Sequence, residues 1–156
     1  MAGIRPYQKE DFERLWQIDQ ECFAAGIAYS RQELATYINH AHAFTLIAEE
    51  AGDIAAFIVA EGDPAGVGHI MTIDVRPPFQ HSGLGSRLLR MAEERLTAQR
   101  CNSILLEVAV NNFPALAFYK RHGYAVLETI PRYYLDSVDA LVMGKRLNPP
   151  KAKKHG

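Results

Sequence analysis

Val75-Arg76-Pro77-Pro78-Phe79-Gln80-His81-Ser82-Gly83-Leu84-Gly85-Ser86 is the stretch on which the fold turns. The apolar run 68–75 before it reads as a strand, and Pro77-Pro78 stop that strand because proline brings no N–H to a ladder. The run 83–100 after it places Leu84, Leu88, Met91, Ala92 and Leu96 on one face of a helix. A strand therefore ends, a loop carries two glycines, and a helix begins. The first amides of such a helix have no partner inside it, and the helix dipole adds partial positive charge there. Gly83 and Gly85 lack a Cβ and let an anion approach the backbone, so the segment suits a diphosphate. Other readings compete. A dinucleotide fingerprint wants G-x-G-x-x-G with an acid about twenty residues on, whereas Gln80-x-x-Gly83-x-Gly85 is followed by Ser86 and Arg87. A Walker loop wants Gly-Lys-Ser/Thr, which does not occur. An ordinary glycine-bearing turn stays open at this level.

Working outward, residues 3–5 form a short first strand. Asp11 can cap a helix whose apolar positions are Phe12, Leu15, Trp16, Ile18 and Phe23. Ser30-Arg31-Gln32-Glu33 is a capping box opening a second helix with Leu34, Tyr37 and Ile38. Residues 44–49 and 54–60 flank Gly52-Asp53 as a hairpin. Beyond the central helix, residues 103–110 form a strongly apolar strand. Asn112 caps a short helix with Pro114 in its first turn and Gly123 past its end. Residues 124–130 and 140–146 read as closing strands around a polar loop. This order predicts one α/β domain over residues 1–147, a mixed sheet with helices on both faces. Residues 148–156, with two prolines and Lys151, Lys153 and Lys154, read as a disordered basic tail.

Composition narrows the function classes. In 156 residues, 48% are hydrophobic and 22% charged, which suits a globular core. A net charge of -1 offers no general attraction for nucleic acid or an anionic membrane. No apolar run is long enough for a bilayer, and the first residues lack a signal-peptide pattern, so a cytoplasmic protein is expected. Cys22 and Cys101 lie far apart and His40 and His42 stand in a polar stretch, so no metal is expected.

Gln80 to Gly85 fits the Q/R-x-x-G-x-G/A signature of the GNAT acetyltransferase superfamily. Leu106-Glu107-Val108-Ala109-Val110-Asn111-Asn112, then Ala115-Leu116-Ala117-Phe118-Tyr119-Lys120-Arg121-His122-Gly123-Tyr124, resembles the segment that follows it in that family. Arg132-Tyr133-Tyr134-Leu135-Asp136 with Asp139-Ala140-Leu141-Val142-Met143 resembles the late hairpin of protein N-terminal acetyltransferases. The pattern is similar to ribosomal-protein alanine (RimI-like) and archaeal Ard-type enzymes, and covers residues 4–147.

The resemblance implies a mostly antiparallel sheet of six to seven strands, splayed between the fourth and fifth. It implies acetyl-CoA as co-substrate. The main chain of Ile73 and Val75, around Asp74, would bond the pantetheine arm like an added strand; Asp74 itself receives no chemistry. Gln80 and the amides of His81, Ser82, Gly83, Leu84, Gly85 and Ser86 would take the pyrophosphate, and Asn112 would hydrogen-bond the cofactor. Asn112 and Tyr119 lie seven residues apart, near two turns, and can face one cleft. Glu107, five residues before the Asn, is implied as general base and Tyr119 as general acid. For each, a plain reading exists: an exposed strand carboxylate, a packing aromatic. His69 is a second base or relay, or a structural strand histidine. Tyr29, Tyr133 and Tyr134 are expected at the acceptor site, or as filling for their loops. The acceptor is expected to be a primary amine, favouring a protein N-terminus over a small molecule. Residues 27–30, Ile-Ala-Tyr-Ser, lack the Pro and Trp of the ribosomal-alanine enzymes. A non-catalytic acetyl-CoA sensor is the reading from another class. Many such enzymes pair, so a homodimer is allowed.

Overall fold

The computed structural model describes residues 2–24, 27–134 and 137–147. The expected basic tail lies outside them. In chain order the elements are β1 (Gly3–Pro6), α1 (Phe12–Cys22), α2 (Arg31–Ile38), β2 (Ala43–Glu50), β3 (Asp53–Gly62), β4 (Val67–Val75), α3 (Leu84–Ala98), β5 (Ser103–Ala109), α4 (Phe113–Arg121), β6 (Ala125–Tyr134) and β7 (Val138–Arg146). Among the described residues seven strands form one sheet in the order β1-β2-β3-β4-β5-β7-β6. The pairings are antiparallel except β4 with β5, which is parallel.

Two apolar layers sandwich the sheet. Phe44, Leu46, Ala48, Ile58, Ile70, Ile104, Leu106 and Met143 pack under Leu84, Leu88, Leu89, Ala92 and Leu96 of α3, with Tyr119 of α4. On the other face Ile47, Phe57 and Val59 pack against Leu15 and Ile18 of α1 and Leu34 and Ile38 of α2. Each element's apolar period therefore finds a matching face.

Several local expectations are met. Ser30 Oγ accepts from the Glu33 amide at 3.1 Å while Glu33 Oε1 accepts from the Ser30 amide at 2.9 Å. Ser30→Ala should cost about 1 kcal/mol of stability in a denaturant titration; an unchanged midpoint would mean the box does not hold α2. Asn112 Oδ1 accepts from Ala115 N at 3.2 Å and caps α4.

Three expectations are corrected. Asp11 does not cap α1: it ends a short 3-10 turn, Lys9–Asp11, and its carboxylate takes both Arg5 guanidinium nitrogens at 2.8 Å and the Gln8 amide at 2.7 Å. The partly exposed Arg5 guanidinium, bound in a two-nitrogen fork, outcompetes a helix end for that charge and holds the carboxyl below its usual range. The β2–β3 turn is Ala51-Gly52, with φ of 53° and 81°, and Asp53 already pairs with Glu50. Two left-handed residues match the twist of a tight hairpin. Finally, the closing strands run through most of the expected polar loop. β6 reaches Tyr134 despite Pro131, because an edge strand need not donate outward.

Two irregularities shape the centre. Val67, Gly68 and His69 pair with Ser103, Ile104 and Leu105, and beyond them β4 and β5 part. In the β3–β4 ladder Val59 faces Thr72 but Ala60 faces Ile70, so Met71 is a bulged extra residue. The bulge reverses side-chain parity: Ile70, Ile73 and Val75 all meet the α3 layer, while Asp74 turns toward α1 opposite Phe57.

Candidate active site

The site forms around the split between β4 and β5. Arg76 N donates to Ala55 O at 3.0 Å, so the polar groups of the even residues at this end of β4 face β3. By strand alternation those of Ile73 and Val75 face the open edge. The Val75 carbonyl there accepts from Gln80 Nε2 at 3.0 Å and from Cys22 Sγ at 3.4 Å. Gln80 thus braces the loop against the strand it leaves.

Past a 3-10 turn at Pro77–Phe79, the chain enters α3 through His81 and Gly83, with φ of 62° and 87°. No side chain caps α3 at Gly83, and a Cβ built there would meet nothing within 4 Å. The amides at Leu84, Gly85 and Ser86 therefore open a helix end with room in front of it. Gly85 is tighter: a Cβ would lie 3.4 Å from the Phe118 ring and 3.5 Å from Val75. Its absence lets α3, α4 and the end of β4 converge. Ser86 Oγ lies 2.9 Å from His122 Nε2, linking α3 to the end of α4, and Ser82 Oγ donates to the Phe79 carbonyl. These features fit a diphosphate at the helix end and an extended amide-bearing arm along the strand edge. Asn112 has one oxygen taken by its cap, leaving its side-chain nitrogen to serve a ligand.

At the apex of the split stand His69 and Glu107. His69 is the last residue of β4 in register with β5, and its Nε2 lies 2.8 and 3.1 Å from the two Glu107 oxygens. Both side chains are partly exposed, 34% and 22%. Glu107 is therefore neither a free surface carboxylate nor sealed in the core. Around it gather tyrosines: burial, then its own charge, raises the Tyr133 phenol, while Tyr134 feels Tyr133 and then Glu107. Tyr37 of α2, raised by burial and then by Glu33 and Glu107, joins this wall. The sequence offered Tyr37 only as a helix-face residue; its position four residues after Glu33 gave no sign of an acceptor wall. The Tyr133 and Tyr134 rings stand edge to face at 4.9 Å.

Tyr119 lies on the opposite side of the split, in the α3–α4 layer. It is 6% exposed, with ring neighbours Phe118 at 5.3 Å and Tyr124 at 5.6 Å. Burial, then the charge of Asp74 and the phenol of Tyr134, pushes its own phenol up. Tyr29 serves as an anchor: its amide donates to Asp19 Oδ2 at 2.7 Å, its carbonyl accepts from Trp16 and Gln20, and its hydroxyl donates to the bulged Met71 carbonyl at 2.9 Å. Its ring packs 5.0 Å from Tyr37.

Comparison with known proteins supplies an independent view. The acetyltransferase (GNAT) family model matches residues 12–124. An uncharacterized N-acetyltransferase of Methanocaldococcus jannaschii is 32% identical over 151 residues, covering 96% of this chain and 94% of its own. An N-alpha-acetyltransferase of Sulfolobus acidocaldarius is 33% identical over 81 residues, about half of each protein: 51% of this chain and 48% of that one. Among solved structures, the Escherichia coli ribosomal-protein-S18-alanine N-acetyltransferase superposes with a TM-score of 0.85 at 22% identity, covering 100% of this chain and 99% of that one, which shows the shared fold.

Proposed function

The chain belongs to the acetyltransferase (GNAT) family and is an acetyl-CoA-dependent N-acetyltransferase; we propose that its acceptor is the α-amino group of a protein or peptide N-terminus. The observation that carries this reading is the apex of the strand split. There Glu107 and His69 stand at 2.8 Å under a wall of tyrosines, across the split from Tyr119. The likeness to an archaeal N-alpha-acetyltransferase supports the choice of acceptor.

Acetyl-CoA supplies the acetyl thioester. Ile73 and Val75 would hold its arm at the strand edge, and the amides from His81 to Ser86 would hold its phosphates. An α-amino group ionises near 8, so much of it is protonated and unreactive at neutral pH, and a lysine amine near 10.4 is more so. Glu107 accepts that proton at a carboxylate oxygen, leaving a neutral carboxyl and a neutral amine, and His69 beside it passes the proton on to solvent. Because both reactants occupy one cleft, transfer is direct, and co-location removes up to ~7–11 kcal/mol of the barrier. Tyr119 is the general acid. Its raised phenol keeps its proton at neutral pH. A thiol ionises near 8.5, below such a phenol, so Tyr119 acts first by donating a hydrogen bond to the departing sulfur.

Tyr119→Phe should lower kcat about 10- to 100-fold, the worth of one hydrogen bond to charge, with an unchanged melting point. A loss under twofold would reduce Tyr119 to a packing residue. The acceptor is tested by mass spectrometry of peptides with varied first residues beside amino acids, polyamines and aminoglycosides. Acetylation at peptide α-amino groups is expected. Turnover confined to the free amines would overturn the assignment.

A further inference from the structure

The mechanism leaves two buried carboxyls without a task. Asp19 of α1 is 0% exposed and Asp74 of β4 is 1% exposed. Asp19 Oδ2 accepts from the Tyr29 amide at 2.7 Å, and Asp74 Oδ1 accepts from Thr72 Oγ1 at 2.5 Å. The other oxygen of each, Asp19 Oδ1 and Asp74 Oδ2, is buried with no donor among the described residues. The two carboxyls meet where α1 crosses β4, Asp19 three residues from Cys22 and Asp74 one from Val75, whose Sγ and carbonyl lie 3.4 Å apart, and each acts on the other. Two such carboxylates cannot both stay charged in a dry interior, whereas one proton between them satisfies both orphan oxygens at once.

Among the described residues no cation acts on either carboxyl. From α1 come Glu21 and Cys22, whose thiol is pushed up to about 12 by burial and then by Asp74. From α2 comes the charge of Glu33, from the loop between them Tyr29, from α4 Tyr119, and from the late hairpin Tyr134 through Tyr29. Arg76, at the end of β4, is turned to Asp53 at 3.1 Å and Glu21 at 3.8 Å.

The pair's position gives it a task. Asp19 holds the Tyr29 amide, and the Tyr29 hydroxyl holds the carbonyl of the Met71 bulge, two residues from His69 and three from Asp74. Asp74 lies between Ile73 and Val75 on the strand edge that faces the split. The two carboxyls thus close a loop of bonds from α1 through Tyr29 to the bulge and back along β4. We propose that Asp19 and Asp74 share one proton and together act as a positioning pair, clamping the α1–α2 loop of the acceptor wall onto the split strand. Neither touches the reacting atoms. The kinetic part of this inference rests on the acyl-transfer reading; the proton-sharing part does not.

Asp19→Asn separates the two parts. Its oxygen can still accept from Tyr29 and its nitrogen can donate to Asp74, so both bonds survive with no proton to share. In the native pair burial raises the Asp19 carboxyl, and burial and then the charge of Asp19 raise the Asp74 carboxyl well above 3.8, the value each takes when free in the unfolded chain. The folded state then binds more protons than the unfolded one, so the pair's contribution is full below 3.8 and declines as pH rises toward the folded values. The melting point of Asp19→Asn minus that of the native protein should therefore grow as pH rises from 4 and level off once pH passes the folded values. A difference flat from pH 4 to pH 9 would overturn the shared proton. In the kinetic arm, with acetyl-CoA and a peptide acceptor at pH 7.5, Asp19→Ala should raise the acceptor KM at least tenfold while Asp19→Asn stays within threefold of native. Acetyl-CoA affinity, read by calorimetry, should hold within threefold in both. Asp19→Leu replaces the Ala variant if that does not fold. A native acceptor KM in Ala or Leu would overturn the clamp. If no peptide is acetylated at all, the acceptor assignment has failed, and the melting series still decides the pair.

Discussion

Glu107→Gln is expected to lower kcat for a peptide acceptor about 10²- to 10⁴-fold, the usual worth of a positioned general base. The substitution keeps the shape and a hydrogen-bonding group toward His69, so the end of the split should not collapse. It removes the one property the step needs, an oxygen able to take the proton that keeps the ammonium from attacking. Acetyl-CoA affinity should stay within a few-fold of native, because the phosphate amides at the α3 end and the edge of β4 are untouched. The rate lost should be partly recovered at alkaline pH, where more of the α-amino group, with its pKa near 8, is already neutral. Steady-state kinetics between pH 7 and 9.5 with calorimetric acetyl-CoA titration would check this. A kcat within threefold of native would move the base to His69 or to solvent.

Phe57→Ala should be the most damaging of the core truncations that bear on the site. Phe57 is fully buried in β3, packed with Leu15, Ile18, Leu34, Ile47 and Val59, and it stands directly across from Asp74. Removing a buried aromatic leaves a cavity and costs about 3–5 kcal/mol. Against a typical total of 5–15 kcal/mol, that is a large share. At about 2–4 °C per kcal/mol for a chain of this size, the melting point should fall by about 6–20 °C. Phe113→Ala is the control: the side chain is 71% exposed and its loss should stay within about 0.5 kcal/mol. Melting followed by circular dichroism would settle it. A drop below 2 °C would mean that α1 and α2 are not packed on β3 as described. The same layer carries Asp19 and Tyr37.

The readable part of the site was local. The loop from Pro77 to Gly85 announced itself because a strand stop, two glycines and an amphipathic helix are all short-range signals. The cap at Asn112 and the box at Ser30–Glu33 were readable for the same reason, since partner and cap lie three residues apart. In sequence Asp74 carries no chemistry, and its direction cannot be read from a local rule. Alternation along β4 holds only until an extra residue enters, and nothing in Ile70-Met71-Thr72 marks which residue is extra. Asp19 carried a faint sign, an acid on the apolar stripe of α1, one residue after Ile18 and four after Leu15. Its partner, however, lies 55 positions away in sequence (19 to 74) and meets it only when α1 crosses β4.

Local residue patterns encode the set of elements, their order, the glycine-bearing start of α3, and the family pattern carried by Gln80–Gly85 and Glu107–Tyr119. These depend on periodicity, caps and turns, all encoded within a few residues of one another. Long-range packing instead sets where β4 leaves β5, the meeting of Glu107 with His69 there, the tie of Tyr29 to a bulge, and the approach of Asp19 to Asp74. Those outcomes depend on register between strands distant in the chain, and one inserted residue in a ladder turns every following side chain to the other face.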